Sequence, residues 1–213
     1  LDSFNPTKYN LEDLELDVLD KWILAKTNNF VKASDQYYNS YQLYKMVKES
    51  SELLDDISNW YVRRNRRRFW KSENDSDKHA AYLTLYHVLL TYIKVMSPII
   101  PFISDKIYKN MVASIDSNAP VSIHLTDFPK YNNKLENAKL MNEIDSVKSI
   151  VSLGRSARNK ANIKIRQPLS DISIYSKKGK QGFLMDYENQ LKEELNVKKV
   201  NYVDKESSLV KYQ

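Results

Sequence analysis

Five stretches of this chain repeat apolar residues every three to four positions, and together they occupy most of residues 14–161. That spacing is the pitch of an α-helix with one buried face, so the chain is committed to packing helix against helix. The first stretch runs from about Leu14 to Tyr37, with Leu14, Val18, Trp22 and Ala25 on one stripe and Asp13, Glu15 and Asp17 at its acidic start. The second runs from Ser40 to Trp70 through Leu43, Val47, Leu54, Ile57 and Tyr61, an uninterrupted helix of about 45 Å at 1.5 Å per residue. The third spans Asp77 to Met96, capped by Asp75 or Ser76. It is apolar on more than one face (Tyr82, Leu85, Leu89, Tyr92 and Met96; also Leu83, Leu90 and Ile93), as a central core helix would be. Pro98 and Pro101 break the pattern, and Pro101 opens a fourth helix packed through Phe102, Ile103, Ile107, Tyr108 and Met111. The fifth, from Leu135 to about Ala161, carries Leu140, Ile144, Val147, Val151 and Gly154 on one stripe, with Gly154 admitting a close neighbour.

After Pro168 the period changes. Ile172, Ile174 and Tyr175 read as a strand, Phe183–Leu195 as a short helix, and Val197, Val200, Tyr202 and Val203 as a second strand. The predicted fold is mainly α: residues 1–13 a polar linker, 14–165 a helical bundle, and 166–213 a small β-α-β subdomain and tail. The chain opens on Leu1 rather than Met, which reads as a piece of something larger. The longest apolar run is interrupted by Lys94 and Pro98, so no membrane-spanning helix is expected.

Composition removes several kinds of chemistry. The chain has no cysteine, hence no disulfide, thiol nucleophile or thiolate metal site. Its three histidines, His79, His87 and His124, are not spaced as a zinc motif. With three glycines there is almost no material for a phosphate-cradling loop, and no nucleophile stands beside a base, so no catalytic residue is expected in this chain. The net charge of +6 is a modest hint of a polyanionic partner.

The hint sharpens in two segments. Residues Asn59–Lys71, NWYVRRNRRRFWK, hold six basic residues and no acidic one. Helical rotation groups Arg63, Arg66 and Arg67 with Trp60 and Trp70 nearby: forked donors for phosphates beside flat rings on which unpaired bases can stack. The plainer alternative makes the tryptophans core and the arginines a solvated face. Arg64 and Arg68 project toward the apolar stripe, where they need carboxylate or carbonyl partners or must extend into a groove; the groove is the expectation. The second segment, Gly154–Pro168, carries Arg155, Arg158, Lys160, Lys164 and Arg166 without a carboxylate. Arg158 lies on the continuation of the apolar stripe and is equally placed to brace the bundle, while Asn162 and Gln167 suit either base edges or a turn.

The segment SNWYVRRNRRRFW at 58–70 resembles the C-terminal tRNA-binding region of class I isoleucyl-tRNA synthetases. LDKWIL at 19–24, YLTLY at 82–86, MSPIIPF at 96–102, IHLTDFP at 123–129, LGRSAR at 153–158 and KIRQPL at 164–169 follow in the family's order. Valyl- and leucyl-type relatives share the bundle and are the nearest confusions. The resemblance implies a helical anticodon-binding domain, and a parent enzyme that joins isoleucine to its tRNA with ATP and Mg²⁺ and edits mischarged products in a separate domain. The family's two ATP-handling signatures have no match in this chain, and KMVKES at 45–50 lacks the required pattern, so no cofactor is expected here. The resemblance further implies a cytoplasmic, monomeric ligase whose catalytic and editing domains adjoin this region. It carries RNA-binding roles onto Trp60, Arg63, Arg64, Arg66, Arg67, Arg68 and Trp70, and onto Arg155, Arg158, Lys164, Arg166 and Gln167. The competing expectation is a structural bundle that packs against the synthetase core with only non-specific RNA contact.

Overall fold

The computed structural model describes residues 4–71, 75–175 and 181–203. The chain forms two compact units, 1–137 and 138–213.

In the first unit, α1 (Val18–Asn39) starts where Asp17 caps it: the Asp17 carboxylate accepts from the Leu19 N–H, and the Asp17 N–H donates to Asp20. Leu14 therefore lies outside the helix and Val18 is exposed at its first position, while Trp22, Ile23, Ala25 and Phe30 are buried. Residues 4–13, expected as a linker, pack in part: Pro6 is buried, and Phe4 stacks on both Tyr9 and His79, with the Tyr9 ring tilted against His79. Helix α1 ends in a Schellman turn. The Gln42 N–H bonds the carbonyl of Tyr37 and the Tyr41 N–H that of Tyr38, with Tyr41 at φ 57°. Glycine is the usual occupant of that left-handed position, and a side chain there costs about 1–2 kcal/mol.

The predicted helix from 40 to 70 is continuous in path but not in pitch. Helix α2 (Leu43–Asp55) passes into a π-helical segment, Asp56–Val62, and after Asn65 into α3 (Arg66–Lys71). The buried row is Met46, Ser50, Leu53, Ile57, Trp60 and Tyr61. Leu43, Val47 and Leu54, expected inward, are exposed, because the row that continues through Trp60 and Tyr61 is the neighbouring one. Helix α4 (Asp75–Met96) runs through the core with Ala80, Ala81, Leu83, Thr84, Val88, Ile93 and Val95 buried. The Tyr61 hydroxyl donates to Asp20 (2.6 Å) and lies 3.3 Å from the Ala81 carbonyl, while the Tyr38 hydroxyl donates to the Val95 carbonyl at 2.8 Å. Helices α1 and α4 therefore run parallel, and the path from α2 to α3 returns antiparallel to them.

Helix α5 (Pro101–Tyr108) buries Ser104 and Tyr108, and Ile107 packs on the cluster of Ile93, Tyr108 and Ile123. Phe102, expected to pack, is 91% exposed, and Ile103 is also exposed. Asp105 holds the loop at 121–125, accepting from the Ser122 hydroxyl (2.6 Å) and the Ile123 N–H (3.1 Å).

In the second unit, α6 (Ala138–Lys160) buries Leu140, Ile144, Val147, Val151 and Gly154, the stripe its period predicts. The two strands, β1 (Leu169–Tyr175) and β2 (Val197–Val203), pair in parallel from Leu169↔Val197 to Tyr175↔Val203. Helices α7 (Gln181–Asp186) and α8 (Glu188–Leu195) connect them, so the single expected helix is broken at Tyr187. A Cβ at Gly154 would lie 2.6 Å from a Leu195 methyl, which is why α6 approaches α8 so closely. This packing places α6 with the sheet, and the units divide at 137/138 rather than at 165/166.

Candidate nucleic-acid interface

Around Asn65 the run of arginines and aromatics divides into an outer and an inner set. Arg63, Arg66, Arg67 and Trp70 are exposed, while Asn65 and Phe69 are buried. Arg63 anchors its Nε on the Asn59 carbonyl at 2.9 Å. The Arg66 guanidinium lies 5.9 Å from the centre of the Trp70 ring, itself 75% exposed. This is a cationic edge with an open aromatic face.

The inner set, Trp60, Arg64 and Arg68, is turned toward the fold, with Trp60 buried and the two arginines half-buried. Arg68 does not extend into a groove. Its guanidinium donates to both carboxylate oxygens of Asp20, at 2.9 and 2.8 Å, and to Asp77 at 2.8 Å. Burial by itself would lower its pKa, but the hydrogen bonds to Asp20 and Asp77 outweigh that and hold the guanidinium firmly protonated. The same carboxylate accepts from Tyr61, and burial followed by the Asp20 charge pushes that phenol well above its ordinary value. Trp60, only 6% exposed, has no face for a base; Arg64, half-buried, lies over its ring at 5.3 Å. Nothing in the local sequence marks Asp20 or Asp77 as partners, since each acquires its role only through folding.

In the second unit Arg158 is buried, and the bracing alternative is the observed one. Its two terminal nitrogens donate to four carbonyls: Lys164 (3.2 Å), Gln167 (2.9 Å), Leu195 (2.7 Å) and Asn196 (3.0 Å). Asn196, at φ 48°, adds its side-chain amide to the carbonyls of Ile165 and Arg166. The clamp fixes the loop at 161–168 with Lys164, Arg166 and Gln167 exposed on it. Arg155 is partly exposed and paired with Glu194. The exposed residues of the two segments belong to different units.

Among the described residues no helix is long and apolar enough to cross a membrane, and no group of three or more His, Asp or Glu side chains is placed to hold a metal ion.

A sequence model of the anticodon-binding domain of tRNA ligase matches residues 20–174, from the aspartate that holds Arg68 to the first strand. The chain belongs to that family. Its relatives include isoleucine–tRNA ligases: that of Clostridium novyi is 44% identical over 203 residues, 95% of this chain and 19% of that protein. The enzyme of Clostridium tetani is 42% identical over all 213 residues and 20% of its own length, and that of Dehalococcoides mccartyi 43% over 199 residues, again 20%. The chain spans about a fifth of the length of these relatives. Both basic segments of this anticodon-binding domain lie inside the matched residues, with the exposed arginines and the clamped ones alike.

Proposed function

We propose that this chain grips the anticodon arm of isoleucine tRNA on behalf of an isoleucine–tRNA ligase. The observation that carries the proposal is the sorting of one arginine run. Arg68 is neutralised inside the bundle by Asp20 and Asp77, while Arg63, Arg66 and Arg67 stand outside it beside the open ring of Trp70. A locked base beneath a row of forked donors is suited to fixing phosphates in place, which positions an RNA and makes binding salt-dependent. Lys164, Arg166 and Gln167, held outward by the Arg158 clamp, supply a second contact surface, with Arg155 at its edge. Whatever energy is gained here acts at a distance, orienting the tRNA for chemistry elsewhere in the ligase.

In this proposal the aminoacylation, with its ATP and Mg²⁺, and the editing step belong to other domains of the same polypeptide, a monomeric cytoplasmic enzyme. The test is binding of the purified chain to isoleucine tRNA, against a tRNA of different anticodon, at two salt concentrations. Tighter, salt-sensitive binding to the isoleucine tRNA that collapses in Arg66→Glu/Arg67→Glu is the expected result. Absence of binding at low salt would return the chain to a packing role.

A further inference from the structure

We propose that Tyr41 and Tyr44, with Lys45 and Lys48, form a stacking site for unpaired bases of an RNA loop, at the end of the first unit opposite the arginine segment. The inference rests on the RNA-binding role proposed above and names where bases, as distinct from phosphates, are held.

The starting point is a conflict between the backbone and the residue it carries. Tyr41 occupies the left-handed position of the Schellman turn after α1, the place where glycine relieves strain. A large side chain tolerated there should have its strain offset by packing, yet Tyr41 is 90% exposed. Stability therefore gives no reason for this residue, and rules broken without a folding gain mark functional positions. Its neighbours sharpen the contrast. Tyr37 donates to Glu49 at 2.6 Å and Tyr38 to the Val95 carbonyl, so both fasten the turn to α2 and α4. Tyr44, three residues on, is 72% exposed.

The charge around the two rings selects the partner. The first six residues of α2, Leu43–Lys48, carry two lysines and no carboxylate; Glu49, which follows, accepts from the Tyr37 hydroxyl, and Glu52 lies nearly one turn further on. Both lysines are exposed, and Lys45 places its ammonium 5.9 Å from the Tyr44 ring centre. Flat rings flanked by cations are the pattern that holds single-stranded nucleic acid, rings for bases and ammonium groups for phosphates. Because α2 and α3 return along α1, the tyrosines and the arginine segment lie at opposite ends of a helix of 22 residues, about 33 Å at 1.5 Å per residue. One end grips the backbone and the other meets the loop.

The experiment uses the 213-residue chain and an isoleucine tRNA anticodon stem-loop with 2-aminopurine at an unpaired loop position, read by affinity, fluorescence and melting temperature. Tyr41→Gly is the decisive variant, since glycine suits the backbone: its melting temperature should rise by about 2–4 °C, while affinity falls about tenfold and the stacking quench of the probe is reduced. Tyr41→Phe, which keeps the ring, should retain binding, and Tyr41→Gly/Tyr44→Ala should abolish the quench. Wild-type affinity and quench in that double variant, with Arg66→Glu/Arg67→Glu still weakening the complex, would overturn the stacking site, assign the tyrosines to a protein contact and leave the anticodon-binding role standing. A wild-type chain that binds no RNA would overturn both.

Discussion

Arg66, Arg67 and Arg68 are adjacent and chemically identical, yet they answer to different forces. Arg68 completes a buried carboxylate that also caps α1 and accepts from Tyr61, so Arg68→Met leaves Asp20 buried without its guanidinium partner. Removing one partner of a buried pair costs about 3–5 kcal/mol, and urea unfolding should show a loss of that size. Arg66→Ala and Arg67→Ala, on the exposed side, should stay within about 0.5 kcal/mol of the parent. RNA affinity should reverse the order: among molecules that remain folded, the Arg66 and Arg67 variants bind weakly and the Arg68 variant binds well. Similar losses of stability from all three would mean that Arg68 is no more embedded than its neighbours. Asp105 makes a second residue-scale case. The Lys109 ammonium first, then the Ser122 hydroxyl and the Ile123 N–H, hold its carboxyl at about 2, below the usual carboxylate value. A depressed folded-state pKa stabilises above the unfolded value, near 4, and that contribution fades as pH falls toward 2. Asp105→Asn should therefore be less stable than the parent at neutral pH and differ from it progressively less between about pH 4 and 2 in a melting series. A constant difference across that window would remove the titration from the explanation.

At the scale of elements, helix period is legible in the sequence and helix phase is not. The spacing of apolar residues marks α1, α4 and α6, and it marks the α6 stripe down to Gly154, because a long helix with one consistent face admits only one solution. Between 40 and 70 the expected stripe runs through Leu43, Val47, Leu54, Ile57 and Tyr61, and the structure buries a second one, through Met46, Ser50 and Leu53, that joins it at Ile57 and Tyr61. The π-helical segment at Asp56–Val62, whose wider turn alters the phase, has no signature in the apolar spacing, so the two stripes read alike. The site divides in the same way. That the arginine run is basic and interleaved with aromatic rings is visible locally, but which arginines are engaged within the fold depends on Asp20, 48 residues from Arg68, and on carbonyls 37 and 38 residues from Arg158. Gly154 gives the element-scale prediction. In Gly154→Ala the new methyl would meet both Leu195 methyls, at 2.6 and 2.8 Å, and Leu195 is itself buried. Overpacking of this kind costs about 1–3 kcal/mol; adding Leu195→Ala should recover part of it, a favourable coupling in a double-mutant cycle. Simple additivity of the two losses would show that α6 and α8 do not meet there as described.

For the whole molecule the issue is whether the two compact units act on one ligand. Each unit uses one arginine as an internal fastener, Arg68 in the first and Arg158 in the second, and each turns other basic groups outward. Counterion release offers a way to tell which of those outer groups reach phosphates, because each phosphate left without its cation lowers the slope of log affinity against log salt by about 0.7–0.9. Charge removal at Arg63, Arg66 and Arg67 together should reduce the slope for isoleucine tRNA by about 2–3, and removal at Lys164 and Arg166 by about 1.5. If both units hold the same tRNA, the combined variant should lose the sum, since groups on separate phosphates release separate ions. If only the first unit does, the Lys164 and Arg166 changes will leave the slope where it was. Arg158→Met separates charge from architecture: it frees the 161–168 loop without removing an exposed cation, so it should lower the affinity through disorder of Lys164 and Arg166 and raise the unfolded fraction. A loss of slope in Arg158→Met as large as in the double Lys164 and Arg166 variant would mean that the clamp, by holding that loop outward, is what brings the second unit onto the RNA.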